Sequence, residues 1–93
     1  MNNFSLGSIV CTRAIFDTMN KDYDFSEFAK ASLARHSAGD WGDMCEGDKQ
    51  ANEAALVDGS RLFSAYKADG RPKIWIITEA NRSATTILFP YEY

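Results

Sequence analysis

Basic charge is scarce in this chain, and its scarcity limits the partners the protein can have. The 93 residues include 10 Lys and Arg against 13 Asp and Glu, which gives a formal net charge of −3. Nucleic-acid-binding domains usually carry a basic excess or a basic stripe, because phosphate neutralisation drives their affinity. The composition therefore predicts no direct nucleic-acid binding, and it favours a partner that is itself basic.

Cysteine and long apolar runs are also scarce. The two cysteines, Cys11 and Cys45, fit no metal-binding spacing, and we interpret them as reduced thiols. No apolar run approaches the ~20 residues that a membrane-spanning helix needs. The N-terminal segment lacks the basic and apolar regions of a signal peptide. These absences together predict a cytoplasmic protein with no membrane contact.

Sequence motifs for cofactor chemistry are missing as well. The chain has no phosphate-binding loop, no GxSxG elbow, no CxxC pair and no dinucleotide fingerprint. It contains a single histidine, His36, so candidates for acid–base catalysis near neutral pH are few. We therefore predict no cofactor and no metal site.

What the chain does have is a strong β-hairpin pattern near its C-terminus. Residues 73–89 read KIWIITEANRSATTILF, two runs rich in β-branched and aromatic residues around a polar turn. A turn centred on Asn81 and Arg82 places Ile77 opposite Thr86, and Asn81 tolerates a positive φ. Both faces of the first run are apolar, which predicts a central strand that is buried on both sides.

Each predicted helix follows a capping side chain. The candidate N-caps are Thr12, Asp24 and Asp48, and the helices after them cover residues 13–19, 25 to about 36, and 49–57. Residues 8–11 are predicted to form an edge strand and residues 61–67 the strand before the hairpin. Segregated helices and consecutive strands predict one α+β domain, residues 1–93. In that domain, two or three helices pack on one face of an antiparallel three- to four-stranded sheet.

The densest polar segment is the acidic loop, residues 39–48, which reads GDWGDMCEGD. Its three glycines and four acidic residues are typical of irregular structure. Trp41 in its centre is either an exposed binding anchor, as Trp often is at interface hot spots, or a core side chain that leaves the acids solvated. The second arrangement is favoured.

Three functional hypotheses fit the acidic loop. In the first, its carboxylates and His36 bind a divalent metal, although the order of residues matches neither an EF-hand nor a zinc-binding helix. In the second, His36 is the general acid or base of a small hydrolase-type enzyme and is oriented by Asp40 or Asp43. In the third, the loop is a partner-binding surface formed by Asp40, Trp41, Asp43, Glu46 and Asp48.

Several motifs together resemble a family of small plasmid-related proteins found on plasmids, conjugative elements and prophages. The resemblance spans roughly residue 9 to the C-terminus, and the combination of the DWGD and WIITEA motifs is its most specific part. The matching positions are Arg35, His36, residues 39–43, Asp48, Asn52, Arg61, residues 64–66, residues 74–80, Arg82, Ser83, Thr85, Thr86, Glu92 and Tyr93. The family more often has Asp where this chain has Asn81, so no acid-dependent role is expected for that turn.

The resemblance implies a gene of a mobile genetic element, whose small acidic proteins often block host defence. Members are often labelled as subunit M of a type I restriction endonuclease, but a methyltransferase subunit needs a cofactor-binding fold far larger than 93 residues. The expected function is a non-enzymatic anti-CRISPR or anti-restriction protein that binds a CRISPR effector or a restriction subunit. A homo-oligomeric accessory protein is a further alternative, in which an exposed sheet edge and the aromatic tail, Tyr91 and Tyr93, make a homodimer contact.

Overall fold

The computed structural model describes residues 4–93 and contains, within them, three α-helices and four strands. The elements, in chain order, are β1 Ser8–Cys11, α1 Arg13–Lys21, α2 Tyr23–Ser37, α3 Glu46–Asp58, β2 Leu62–Tyr66, β3 Ile74–Thr78 and β4 Ala84–Leu88, followed by a 3-10 turn at Pro90–Glu92. Helices precede the consecutive strands, so the predicted α+β class is confirmed.

β3 lies inside the sheet, as its two apolar faces predict. The strand order is β1-β4-β3-β2, with antiparallel pairing between β2 and β3 and between β3 and β4. Ile77 pairs with Thr86, which confirms the predicted register. One correction is needed, because β1 runs parallel to β4. The connection from β1 to β4 contains three helices and two strands and is long enough for parallel pairing, whereas a hairpin forces antiparallel pairing.

The turn between β3 and β4 places its positive φ at Arg82 (59°) and not at Asn81, where the sequence predicted it. The Arg82 N–H donates to the Glu79 carbonyl at 2.8 Å. Its guanidinium donates to the carbonyls of Ser60 at 2.7 Å and Ala55 at 3.1 Å. These tertiary bonds hold the arginine in a conformation that its side chain alone disfavours.

α2 starts two residues earlier than predicted, after Asp22 and not after Asp24. The Asp22 carboxylate accepts the Phe25 N–H at 3.2 Å, so α1 and α2 are separated by one residue. Asp24 lies in the first turn of α2, where an acidic side chain interacts favourably with the helix dipole. The acidic residues Asp22 and Asp24 therefore indicated that a helix starts here, but not which of the two is the N-cap.

The same difference occurs at α3, which begins at Glu46 and not after Asp48. Its N-cap position is Cys45, which makes no side-chain capping bond. Glu46 and Asp48 are both in the first turn, so the last three residues of the acidic loop are helical. Gly59 ends the helix as predicted, with a left-handed φ of 81°.

The three helices lie over one face of the sheet. α1 and α2 cover one half, where the buried cluster consists of Ile15, Phe25, Ala29, Tyr66, Ile74, Ile76, Ile87 and Phe89. α3 and the acidic loop cover the β2 end, where Trp41 and Ala55 pack against Leu62. On the opposite face, half-buried Phe63 and Trp75 pack edge to face at 4.7 Å between ring centroids.

Candidate functional site

The acidic loop covers the outer edge of β2. The Asp43 N–H donates to the Ala65 carbonyl at 2.7 Å, and the Ala65 N–H donates to the Trp41 carbonyl at 3.3 Å. The Asp43 carboxylate accepts the Lys67 N–H at 3.0 Å. An edge strand normally exposes such groups to other chains. The loop therefore completes the β2 edge with backbone and side-chain bonds.

Asn52 of α3 completes the same edge two residues before Ala65, at Phe63. Its amide nitrogen donates to the Phe63 carbonyl at 2.6 Å, and its amide oxygen accepts the Phe63 N–H at 3.1 Å. The side chain is 4% exposed, so both bonds are protected from water. One buried amide thus reproduces the pair of bonds that a neighbouring strand would make.

Asp40 connects α2, the acidic loop and β2. Its carboxylate accepts two bonds from the Arg35 guanidinium, at 2.7 and 3.2 Å, and one from the Gly42 N–H at 3.1 Å. Its carbonyl accepts the Tyr66 hydroxyl at 2.6 Å. The Arg35 hydrogen bonds hold the pKa of Asp40 below its ordinary value, and the Asp40 partner raises the pKa of Arg35. Asp40 is therefore charged and already paired.

Trp41 is buried, with 3% of its surface exposed, which confirms the favoured arrangement. The indole N–H donates to the Glu53 carboxylate of α3 at 2.7 Å. Its ring stacks with Phe4 at 6.3 Å and meets the edge of His36 at 5.7 Å between centroids. Any contribution of Trp41 to a partner contact is consequently indirect, through the position of the loop.

His36 belongs to a chain of buried hydroxyl groups that crosses the sheet. Its Nδ1 lies 2.5 Å from Ser64 Oγ, and its Nε2 lies 2.8 Å from Thr78 Oγ1. Thr78 Oγ1 lies 2.8 Å from Thr85 Oγ1, and the Thr85 hydroxyl donates to the Leu6 carbonyl at 2.7 Å. The side chains of His36, Ser64, Thr78 and Thr85 are all fully buried.

The direction of these bonds fixes which ring nitrogen of a neutral His36 carries the proton. The carbonyl at the end of the chain accepts only, so Thr85 donates to it and Thr78 donates to Thr85. Thr78 Oγ1 must then accept from His36 Nε2, and Nδ1 of the neutral ring accepts from the Ser64 hydroxyl. Burial lowers the pKa of His36 to about 4, which agrees with a neutral imidazole near pH 7.

The structure does not bring His36 to the carboxylates that the enzyme hypothesis needs. Its ring nitrogens bond to Ser64 and Thr78, whereas Asp40 bonds to Arg35 and Asp43 to the Lys67 N–H. A general base must reach substrate, and the His36 ring is fully covered. Across residues 4–93, no group of three His, Cys, Asp or Glu side chains is arranged to hold a metal ion.

The partners of His36 were missed from the sequence. Ser64 and Thr78 lie 28 and 42 residues from His36 along the chain, and only the tertiary fold brings them together. One signal was present, since Ser64 alternates with Leu62 and Tyr66 on the apolar side of β2 and so needs a buried hydrogen-bond partner.

Negative charge is concentrated on the acidic loop and α3. Residues 39–58 contain six acidic residues and one basic residue, a net charge of −5, whereas the remainder of the chain contains seven acidic and nine basic residues, a net charge of +2. All six acidic side chains belong to exposed residues. Four of the five predicted contact residues are exposed and Trp41 is buried; of the four, Glu46 and Asp48 lie in the first turn of α3.

A groove of about 580 Å³, the α3 groove, runs between α3 and β2. Ala51 and Ala54 lie exposed along it, Phe63 lies at its β2 side, and Asp48 and Asp58 flank it. The two aspartates are ten positions apart on the helix, a distance of ~15 Å along its axis. The groove thus combines a small-residue floor with a carboxylate near each end. Arg61 also lines it, and the guanidinium of Arg61 donates to the Tyr93 hydroxyl at 2.7 Å.

Comparison with protein-family models, curated proteins and solved structures finds no match to this chain. None of the helices in residues 4–93 combines the length and hydropathy that a membrane crossing requires.

Proposed function

We propose that this protein is a non-enzymatic inhibitor, carried by a mobile genetic element, that binds a host defence nuclease through the acidic loop and α3. The nuclease is a CRISPR effector or a restriction enzyme, and the protein acts in the cytoplasm. The observation that carries the proposal is the net charge of −5 over residues 39–58 in a chain whose remainder is basic. The resemblance to plasmid-related proteins supplies the biological setting.

The distribution of charge suits a basic partner groove. Nucleases bind phosphate backbones through Lys and Arg, and an acidic surface of complementary shape competes for the same groups. The α3 groove adds an apolar floor between its two aspartates, so it matches a segment with basic side chains on either side of apolar ones. Such a contact is steered by charge and weakens as salt concentration rises.

The residues of the acidic loop would contribute in two different ways. Asp40 and Asp43 bond to Arg35 and Lys67 and shape the loop, and Trp41 fixes it to the core. Glu46 and Asp48 are exposed, as are Asp40 and Asp43, but their carboxylates make no hydrogen bond or ion pair within residues 4–93, so they are the side chains best placed for direct contact. This division selects the variants that test the surface without disturbing the fold.

The test is a plasmid-interference assay in bacteria that carry one of a panel of CRISPR effectors or restriction systems. We expect the protein to relieve interference by at least one system. The double variant Glu46→Lys, Asp48→Lys should abolish that relief, because it replaces two contact carboxylates with ammonium groups.

The matched control is Asp69→Lys, Glu79→Lys, which makes the same charge change at exposed residues outside the acidic loop and α3. This control should retain relief. Thermal unfolding of both double variants checks that each is folded. If no defence system is relieved, the proposed function is wrong; if both variants relieve it equally, the proposed surface is wrong.

A further inference from the structure

The two edges of the sheet differ in whether the outward backbone groups of the edge strand are hydrogen-bonded. At the β2 edge, Asn52 and the acidic loop bond to the outward backbone groups of Phe63, Ala65 and Lys67. At the other edge, all four residues of β1 are exposed. β1 reads SIVC and contains no charge and no proline, the features that usually protect an edge from pairing.

The backbone groups that β1 leaves outward belong to Ile9 and Cys11. The Ser8 N–H donates to the Ser83 carbonyl at 3.0 Å, and the Thr12 N–H donates to the Ile87 carbonyl at 3.1 Å. In a parallel ladder, alternate residues bond to the same neighbour. Residues 8, 10 and 12 therefore face β4, and Ile9 and Cys11 present their N–H and C=O groups to the outside.

An apolar groove of about 220 Å³, the β1 groove, lies beside this edge on the helical face of the sheet. Its lining residues are Ile9, Val10, Cys11, Met19, Ala29, Lys30, Leu33 and Ile87. Ile9 is 53% exposed and Val10 46%. On α1, Phe16 precedes Met19 by one helical turn and is 53% exposed, which extends the apolar surface.

Within residues 4–93, Lys30 is the one charged residue that lines the β1 groove, and it and Arg13 of α1 are each paired with an acidic residue. Lys30 bonds to Glu27 at 3.4 Å, and Arg13 of α1 bonds to Asp17 at 3.2 Å. The net charge of −5 lies on residues 39–58, which cover the β2 end of the sheet. A second copy of the chain can therefore approach β1 without like-charge repulsion, whereas it is repelled at the β2 end.

We propose that β1 is the dimer interface of this protein, with β1 of a second copy paired antiparallel to it about a two-fold axis at Val10. Ile9 then pairs with Cys11 of the second copy, and Cys11 with its Ile9, so all four outward groups of each strand are bonded. The two Val10 side chains meet on the open face of the sheet. This inference is independent of the proposed function.

The size of the surface sets the strength of the dimer. The proposed contact rests on the four-residue strand β1 and the side chains that flank it, whereas an interface of standard size has roughly 20–30 residues a side. The contact therefore belongs to the weak class, and we expect dissociation in the micromolar range.

Sedimentation velocity under reducing conditions, from about 1 to about 500 μM protein, tests the association. We expect the weight-average mass to rise toward that of a dimer. Val10→Lys places two ammonium groups at the two-fold axis and should leave a monomer at every concentration. Val57→Lys, the same change on a residue of α3 that is 91% exposed, should dimerise like the parent chain.

Cross-linking tests the register independently of that variant. Paired Val10 residues form a non-hydrogen-bonded pair with Cα atoms ~4.5 Å apart, within the range of a disulfide. In a background with Cys11→Ser and Cys45→Ser, Val10→Cys should oxidise to a disulfide dimer and Val57→Cys should not. The parent Cys11 should not cross-link, since the two copies of it lie diagonally, more than ~7 Å apart.

If the parent chain stays monomeric at every concentration, the proposal is wrong. That result is also the one expected if β1 pairs with a segment of another protein and not with a second copy. Equal dimerisation of the Val10→Lys and Val57→Lys variants places the interface elsewhere and also overturns it. Neither result bears on relief of nuclease interference, so the two proposals fail separately.

Discussion

His36 is the single histidine of the chain, and the fold holds it neutral between two hydroxyl groups. The unfolded chain binds a proton on this ring near pH 6.5, whereas the folded chain does so only near pH 4. Between these values the unfolded state carries more protons, so stability is complete above pH 6.5 and falls as the pH falls toward 4.

We expect the free energy of unfolding to fall by about 2 kcal/mol between pH 7.5 and pH 5, because of the protonation of His36 in the unfolded state. Urea unfolding across this range measures it. His36→Gln should be less stable at pH 7.5, because the core network is broken, but its profile should be flatter. Parallel profiles for the two proteins would show that His36 does not cause the acid sensitivity.

At Gly42, both the backbone conformation and the surrounding atoms exclude a side chain. Its φ is 77°, and a Cβ atom there would overlap the Ala65 carbonyl and the Tyr66 ring. Gly42→Ala should cost at least about 2 kcal/mol, from the left-handed backbone and the overlap together. Thermal unfolding measures this cost.

Gly47 provides the matched control, since a Cβ there meets open space in the first turn of α3. Gly47→Ala should leave stability unchanged or slightly higher. Equal effects of the two substitutions would contradict the packing that we describe for the acidic loop.

At the scale of the elements, the sequence was most informative where the pairing is local. The hairpin register followed from the two-residue turn at Asn81 and Arg82, and the structure confirms it. The hydrogen bonds from Asn52 to β2 were not predictable. An asparagine within a helical sequence gives no indication that its side chain bonds to the backbone of a strand residue 11 positions later. The parallel pairing of β1 with β4 was also missed, because these two strands are far apart in the sequence and no local pattern indicates which strand β1 joins.

The Asn52 contact gives a prediction for β2. Asn52→Ala leaves the Phe63 N–H and C=O without partners at a covered edge, at a cost of about 2–4 kcal/mol. The Phe63 amide should also lose protection against hydrogen exchange. Gln50→Ala, an exposed change on the same helix, should alter neither quantity. Unchanged exchange at Phe63 in Asn52→Ala would show that another group protects this edge.

At the scale of the whole molecule, the two ends of the sheet differ in charge and in openness. The β2 end carries the acidic residues and has its backbone groups bonded, whereas the outer edge of β1 is uncharged and pairs with no other strand within residues 4–93. In the proposed dimer, two acidic surfaces lie at the far ends of one continuous sheet. Seven strand spacings separate the outermost strands, a distance of ~34 Å, so the two surfaces that we propose for partner binding would lie far apart in the proposed dimer.

The covered β2 edge also decides how far strand pairing can proceed. A sheet with two free edges can add copies without limit, which is the geometry of a fibril. Here each copy has one edge that Asn52 and the acidic loop already occupy. Growth through β1 consumes the remaining edge of both molecules and stops, so the loop that gives the protein its acidic surface also terminates polymerisation at two chains.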